Sequence, residues 1–196
     1  MKSGEIRLVK IAIGGMHVIF EVLKVIWLLL PAYTPNNFAV ILGGIKPMDF
    51  GKNFIDGKRI FGDGKTFSGF FGGILGGILV ANVQRLIENA IEFQYFSALS
   101  YRDFIILVTA LSFGAMFGDL FGSFIKRRLN FERGRSFPVL DQLTFLIFSL
   151  AFASLTNAFW FLFTSLDIFI GILITPVLHV LVNFLAFKLK LKEVPW

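Results

Sequence analysis

Residues 104–128 read FIILVTALSFGAMFGDLFGSFIKRR, and this stretch decides the fold class. A run of about 20 mostly apolar residues is long enough to cross the hydrocarbon core of a bilayer as a helix. The run ends in three consecutive basic residues, Lys126, Arg127 and Arg128. Because Lys and Arg accumulate on the cytoplasmic side of membrane proteins, the stretch predicts a transmembrane helix whose C-terminal end reaches the cytoplasm.

The composition of the whole chain also indicates a membrane protein. Of its 196 residues, 56% are apolar and 16% are charged, and the mean hydropathy is +0.75. Soluble domains usually contain about 45–50% apolar and about 25% charged residues. These values exclude a soluble globular protein, a disordered chain and a small secreted scaffold, and the length predicts one transmembrane domain over residues 1–196. The sequence has no cysteine, which excludes disulfides and thiolate chemistry.

Five apolar windows predict an all-α integral membrane protein with five transmembrane helices. The windows cover residues 11–33, 67–86, 104–124, 143–163 and 168–187. Two polar stretches, residues 44–65 and 126–142, lie between windows. With five spans, both polar stretches fall on the same side of the membrane as the C-terminal tail.

The distribution of basic residues predicts the orientation of the chain. The two polar stretches and the C-terminal tail hold most of its Lys and Arg residues. The positive-inside rule therefore predicts a multi-pass protein of the cell membrane, with its N-terminus outside and both polar loops and the C-terminus in the cytoplasm. This distribution also accounts for the net charge of +6 without a nucleic-acid partner.

Two features inside the predicted spans need an interpretation. Glu21 and Lys24 lie one turn apart in the first window, with His17 one turn earlier. We interpret them as a polar cluster paired inside the bundle, with a substrate or proton path as the alternative. In the second window, the glycines that recur at every fourth position from Gly69 to Gly77 predict close helix packing, with a glycine-lined groove for a lipid chain as the alternative.

The first polar stretch interleaves aspartates with basic residues and glycines. A loop that only follows the positive-inside rule needs Lys and Arg, whereas Asp, Lys, Arg and Gly together are the residue types of a metal–phosphate site. The candidate residues in this loop are Asn53, Asp56, Asp63, Gly64, Lys65 and Thr66. Gly64-Lys65-Thr66 resembles the end of a P-loop, but Arg59 stands where that motif requires its first glycine, which excludes it.

The second candidate group begins inside the third window. Asp119, Ser123 and Lys126 have the i, i+4, i+7 spacing that places side chains on one helix face. Asp119 lies within the predicted span, where an ionisable residue is a functional hypothesis by default. Asp141 starts the fourth window and faces the same side of the membrane in this topology. Two converging carboxylates predict a Mg²⁺ site for an in-line displacement.

Three segments together carry a resemblance to a known family. They are Gly62-Asp-Gly-Lys-Thr, Gly118-Asp-Leu-Phe-Gly-Ser-Phe-Ile-Lys-Arg-Arg and Pro138-Val-Leu-Asp-Gln. In combination they resemble the archaeal CDP-archaeol synthases, polytopic cytidylyltransferases that make an activated ether lipid, and the similarity covers nearly the whole chain. The Ser123-x-x-Lys126-Arg127 element also resembles CDP-diacylglycerol synthases, but the Lys-Asp and His-Gly-Gly elements of their longer signature are absent after it.

The resemblance implies a reaction in which CTP and unsaturated archaetidic acid, a glycerol phosphate with two geranylgeranyl ether chains, give the CDP-activated lipid and pyrophosphate. It also implies dependence on Mg²⁺. In the mechanism that we expect from the residues, Asp119 and Asp141 are the metal ligands, and Lys65 and Lys126 are further catalytic residues. The residues expected to bind CTP or the lipid phosphate are Asn53, Asp56, Asp63, Gly64, Lys65, Thr66, Gly118, Ser123, Lys126, Arg127 and Arg135.

Other functions remain open on the sequence. A CDP-diacylglycerol synthase acting on diacyl lipid would carry similar loop residues, and a small lipid kinase would also use Mg²⁺ and basic side chains. A transporter would distribute its polar residues through the spans, whereas here they concentrate in two loops, which favours a soluble substrate that meets a membrane lipid. The oligomeric state is not predicted.

Overall fold

The regular secondary structure in the described part of the chain is helical. The structure, a computed structural model, describes residues 3–91, 93–131 and 137–188, with side chains except at residues 3–14, 138, 139, 183 and 186. The helices are α1 (Ser3–Tyr33), α2 (Pro35–Leu42), α3 (Phe67–Ala90), α4 (Tyr101–Arg128), α5 (Pro138–Ala153), α6 (Asn157–Leu162) and α7 (Ser165–Lys188), with a 3₁₀ turn at Phe96–Ala98. Within these ranges, β pairing is limited to two isolated bridges in the loop between α2 and α3.

Four helical segments are long and apolar enough to cross a membrane. They are Gly15–Leu42, Phe67–Ala90, Tyr101–Arg128 and Ser165–Val182. Each overlaps one of the predicted windows, and the all-α, multi-pass membrane architecture is thereby confirmed. The first segment extends beyond its predicted end at Tyr33, because α2 follows α1 after the single residue Thr34. Pro35 at the start of α2 has no N–H to donate, which fits a first helical position.

The fourth predicted window is divided between two helices. Residues 143–163 contain most of α5, a turn and the short α6, instead of one continuous helix. Thr156 ends the turn, since its hydroxyl accepts a hydrogen bond from the Phe159 N–H and caps α6. The 16 residues of α5 are about 24 Å long, which is shorter than the roughly 30 Å hydrocarbon core.

Glycines bring the helices close together. A Cβ at Gly77 would lie 2.8 Å from the Pro31 carbonyl oxygen of α1, and one at Gly73 would lie 2.8 Å from the Pro35 carbonyl oxygen of α2. The interpretation of the α3 glycines as packing residues is confirmed. A second glycine series, Gly114 and Gly118, meets the backbone of α5.

The pairing of α4 with α5 is antiparallel. The Ser149 hydroxyl donates to the Leu111 carbonyl oxygen at 2.7 Å, while Lys126 of α4 reaches Asp141 at the start of α5. The end of α4 therefore meets the start of α5, at the same end of the bundle as the α2–α3 loop, because Lys58 of that loop donates to the Arg128 carbonyl oxygen.

A polar cluster lies at the opposite end of the bundle. Lys24 Nζ is 2.8 Å from Asp167 Oδ2 and 3.5 Å from Glu21 Oε2, so the interpretation of Glu21 and Lys24 as paired inside the bundle is confirmed. The carboxylate of Asp167 is fully buried and also accepts from the Thr164 hydroxyl. His17 is exposed on α1.

Candidate active site

A cavity of about 910 Å³ lies at the loop-bearing end of the bundle. Its walls come from α2, the α2–α3 loop (residues 43–66), the first turn of α3, the second half of α4, Asp141 of α5 and His179 of α7. The cavity therefore joins the two polar regions that the sequence separates by about 60 positions. Apolar side chains of the spans, such as Phe70 and Leu120, also line it.

The α2–α3 loop is anchored by a carboxylate that the sequence analysis did not select. Asp49 is 3% exposed and accepts hydrogen bonds from the Arg59 guanidinium at 2.7 and 3.2 Å, and from the backbone N–H groups of Gly51, Phe61 and Gly62 at 2.8–3.1 Å. Burial alone would raise the pKa of Asp49, but these hydrogen bonds outweigh it and hold the pKa well below its ordinary value. The ionised side chain thus fixes the loop that precedes Lys65.

Arg59 connects this anchor to the cavity. Its guanidinium is also 2.7 Å from Asp63 Oδ1, and both Arg59 and Asp63 line the cavity. Hydrogen bonds to the two carboxylates raise the pKa of Arg59 above its already high value. The guanidinium therefore stays charged and keeps Asp63 beside the cavity.

Gly64-Lys65-Thr66 leads directly into α3. The Thr66 hydroxyl caps the helix by accepting from the Gly69 N–H at 3.2 Å, and it also accepts from the Gly44 N–H at 3.2 Å. The first N–H groups of α3 therefore lie beside the cavity, where a helix N-terminus favours an anion.

The predicted α4 face is formed. Asp119, Ser123 and Lys126 all line the cavity, as their spacing predicts. Lys65 Nζ lies 2.5 Å from Asp119 Oδ2 and so bridges the α2–α3 loop to α4. Both side chains keep about a quarter of their surface exposed, and water or a ligand can reach the pair.

Asp141 forms a second Lys–Asp pair, with Lys126 of α4. Lys126 Nζ lies 3.0 and 2.9 Å from the two carboxylate oxygens of Asp141. The Phe137 N–H donates to Asp141 Oδ2 at 2.9 Å, which places this carboxylate over the first turn of α5. Two Lys–Asp pairs therefore face one cavity.

The adjacent arginines have different environments. Arg128 is held by contacts within the protein. Its Nε lies 2.8 Å from Asp56 Oδ2, and its guanidinium carbon lies 4.9 and 4.7 Å from the ring centroids of Phe54 and Phe124. Arg127 lines the cavity, and within the described residues it forms no ion pair and its buried Nε has no hydrogen-bond partner. Arg127 is therefore the lining cation with charge available to an incoming anion.

The cavity gathers most of the predicted site residues. Those that line it are Asp63, Gly64, Lys65, Thr66, Asp119, Ser123, Lys126, Arg127 and Asp141. Asn53 and Asp56 lie outside the lining, on the outer part of the loop. Gly118 is also outside it, because it faces α5, where an added Cβ would meet the Thr144 carbonyl oxygen at 2.4 Å. Arg135 lies outside the described residues.

Asp119 and Asp141 suit a metal ion that arrives with its substrate. Within the described residues, no group of three or more His, Asp or Glu side chains is arranged to hold a metal alone. Mg²⁺ is commonly held by one or two carboxylates together with substrate phosphates and water. Two aspartates facing one cavity among basic side chains match that donor set.

Comparison with known proteins identifies the family. The CarS-like CDP-archaeol synthase family model matches residues 16–196. The chain is 57% identical to the CDP-archaeol synthase of Archaeoglobus fulgidus, over 89% of this chain and 98% of that protein. It is 44% identical to the CDP-archaeol synthase of Pyrococcus abyssi, over 92% of this chain and all of that protein.

The fold is also similar to that of a solved structure. A structure described as an intramembrane enzyme for archaeal membrane lipids biosynthesis superposes with a TM-score of 0.66 at 32% identity, covering 83% of this chain and 94% of that one. The chain therefore belongs to the CDP-archaeol synthase family, and the resemblance seen in its motifs is confirmed.

Proposed function

We propose that this protein uses the cavity to transfer CMP from CTP to unsaturated archaetidic acid, with release of pyrophosphate, and that the reaction depends on Mg²⁺. As a member of the CDP-archaeol synthase family, it is an enzyme of the nucleotidyltransferase class. The reaction supplies a CDP-activated lipid for the synthesis of archaeal membrane ether phospholipids.

The observation that carries this proposal is the pair of Lys–Asp contacts around one cavity. Lys65–Asp119 and Lys126–Asp141 bring together cations for phosphate groups and carboxylates for a divalent metal. The same cavity is lined by charged residues of the α2–α3 loop and α4 and by apolar residues such as Phe70 and Leu120. A site with both kinds of lining suits a soluble nucleotide and a membrane lipid.

The chemistry needs no general base. The nucleophile is an oxygen of the lipid phosphate monoester, whose second pKa is about 6, so it is mostly dianionic at pH 7. This oxygen attacks the α-phosphorus of CTP, a new P–O bond forms, and the bond to the β-phosphate oxygen breaks as pyrophosphate leaves. Positioning and charge neutralisation are therefore the tasks of the protein.

The basic side chains perform the neutralisation. When a triphosphate enters, Lys65 and Lys126 exchange their carboxylate partners for phosphate oxygens, and Arg127 binds a phosphate without losing a partner. Asp119 and Asp141 are thereby released and would hold Mg²⁺. When bound, the ion would neutralise charge on the leaving pyrophosphate. Ser123 and the N–H groups that begin α3 add hydrogen bonds to the nucleotide.

The order of the helices in the bundle supports a membrane arrangement. In our proposal α5 crosses the membrane between α4 and α7 as one of five spans, and α6 lies at the end of the bundle opposite the α2–α3 loop, so that the N-terminus is outside and the C-terminus is cytoplasmic. The cavity then opens to the cytoplasm of the cell membrane, where CTP is available, while the isoprenoid chains stay in the bilayer.

Other activities are less well supported. The named relatives favour an archaeal ether lipid over a diacyl lipid, and a cytidylyltransferase over a kinase or a transporter. The concentration of charged residues around a single cavity at one end of the bundle also argues against a transport path through it.

A label-transfer assay tests the proposal. Detergent-purified protein is incubated with the geranylgeranyl lipid phosphate, Mg²⁺ and CTP labelled at the α-phosphate, and we expect label in the organic phase and release of pyrophosphate. The lipid alcohol without its phosphate is the control acceptor and should take no label. EDTA should abolish the reaction and added Mg²⁺ should restore it. Transfer from γ-labelled ATP alone, or no transfer to the lipid phosphate, would refute the proposal.

A further inference from the structure

Two polar residues line the cavity from elements that the loop motifs do not include. Asn36 belongs to α2 and His179 to α7, and the other cavity residues of these two helices, Ala39 and Val40, are apolar. A polar side chain inside a membrane span that faces a cavity is a functional hypothesis by default. The proposed reaction, as described above, assigns neither residue a role.

The positions of His179 and Asn36 along their helices distinguish them from the loop residues. His179 precedes the end of α7 at Lys188 by nine residues, or about 13.5 Å along the helix. Asn36 precedes the end of the span Gly15–Leu42 by six residues, or about 9 Å. Both side chains are therefore set back from the helix ends at the loop-bearing end of the bundle.

A second, mostly apolar groove is lined by residues that neighbour Asp141 and His179 in the chain. The groove has a volume of about 490 Å³ and is lined by Gln142, Pro176, Val177, Val180, Leu181 and Phe184. Gln142 follows Asp141 of the cavity, and the α7 residues of the groove flank His179 on both sides in the chain. His179 therefore lines the cavity from a stretch of α7 whose neighbouring residues form the apolar lining of the groove.

We propose that His179 and Asn36 bind the phosphate head group of the lipid substrate where it enters the cavity from the bilayer. The imidazole and the amide each provide N–H donors for phosphate oxygens. CTP reaches the cavity from the aqueous side, past the loop residues, and needs neither side chain. This inference rests on the proposed function and names the residues that distinguish its lipid substrate from its nucleotide.

Steady-state kinetics with matched variants test the assignment. His179→Ala and Asn36→Ala should each raise the KM for the lipid phosphate about tenfold or more, since each removes a hydrogen bond to a charged group. The KM for CTP should change by less than about twofold. The controls are His17→Ala and Asn37→Ala, which remove the same side chains from exposed positions outside the cavity lining. An unchanged KM for the lipid, or an equal rise in the KM for CTP, would overturn the assignment.

A second measurement does not require substitution of His179. The sequence has two histidines, so the His17→Ala protein carries His179 as its single imidazole. Saturating lipid phosphate should slow its modification by diethyl pyrocarbonate several-fold, whereas CTP should not. Absence of protection, or equal protection by both substrates, would contradict the inference. A wild-type protein that transfers no CMP would instead refute the proposed function.

Discussion

At the scale of single residues, the site is a set of carboxylates that each hold a cation in place. Asp63, Asp119 and Asp141 line the cavity and pair with Arg59, Lys65 and Lys126. Ion pairs with partly exposed side chains contribute little net stability, typically less than about 1 kcal/mol. The two lysine pairs can therefore open for a triphosphate at small cost, and their value lies in keeping both charges beside the cavity.

Asp119→Asn should reduce turnover strongly and thermal stability little. We expect turnover to fall by at least about 100-fold, because the variant loses the carboxylate that would hold the metal and position Lys65. Thermal unfolding should change little, because the pair is about one quarter exposed. The matched control is Asp103→Asn, at the exposed opposite end of the same helix. Near-wild-type turnover of Asp119→Asn would remove this aspartate from the catalytic site.

Asp49→Asn, unlike Asp119→Asn, should lower the stability of the protein clearly. Asp49 is buried, and a buried ion pair that loses one partner costs about 3 kcal/mol, so we expect a clear fall in the unfolding temperature and a higher KM for CTP. Asp56→Asn is the control in the same loop, since its pair with Arg128 is partly exposed and should contribute less. Equal unfolding temperatures for the two variants would contradict the role of Asp49 as the loop anchor.

The stabilisation from Asp49 should also depend on pH. Its pKa in the folded protein is lowered, so the ionised form stabilises the fold above the ordinary pKa of about 4. That contribution is lost as the pH falls toward the folded-state pKa. Unfolding temperatures measured from pH 7 to pH 3 should therefore show the gap between wild type and Asp49→Asn narrowing below about pH 4. A gap that widens on acidification would contradict the lowered pKa.

At the scale of the elements, the distance between α4 and α5 sets the geometry of Lys126 and Asp141. A Cβ at Gly118 would lie 2.4 Å from the Thr144 carbonyl oxygen, which cannot turn away, whereas a Cβ at Gly122 would lie 3.0 Å from the Thr144 hydroxyl. The glycine face of α4 therefore lets the helix ends that carry Lys126 and Asp141 meet.

A graded alanine series tests this packing. Gly118→Ala should lower stability by about 1–3 kcal/mol and reduce turnover, because α5 must move away from α4. Gly122→Ala should have a smaller effect, and Gly15→Ala on α1, where the added Cβ meets nothing within 4 Å, is the control. Unfolding temperature and turnover are measured together. Similar values for Gly118→Ala and Gly15→Ala would show that the close approach is not required.

The sequence predicts the periodic parts of these elements and misses the interruptions. Hydropathy locates the helices because a bilayer requires long apolar runs, and helical spacing places Asp119, Ser123 and Lys126 on one face. The turn before α6 was missed because its apolar neighbours dominate the hydropathy, although Thr156 is a usable capping signal. Asp49 was missed because spacing cannot show that one loop aspartate is buried, and Gly118 was assigned to substrate because its contact with α5 is tertiary.

At the scale of the whole molecule, the function requires both polar regions to lie on one side of the membrane. The antiparallel pairing of α4 and α5 places residues 154–164 at the same end of the bundle as the α3–α4 link, and Phe96, Phe104 and Phe159 share one buried cluster there. The α2–α3 loop lies at the other end. If α5 crosses the bilayer despite its length of about 24 Å, the five-span topology follows.

Single-cysteine labelling can test that topology directly, because the natural sequence contains no cysteine. Lys52→Cys, Gln94→Cys and Leu155→Cys each place a thiol at an exposed position, in the α2–α3 loop, the α3–α4 link and the turn after α5. In right-side-out vesicles, a membrane-impermeant maleimide should label the second and third variants and not the first, and inside-out vesicles should reverse the pattern. Labelling of Leu155→Cys together with Lys52→Cys would mean that α5 does not cross and that the five-span proposal is wrong. Labelling of Lys52→Cys from outside would instead overturn the cytoplasmic placement of the cavity, since Lys52 belongs to the loop that forms its polar wall.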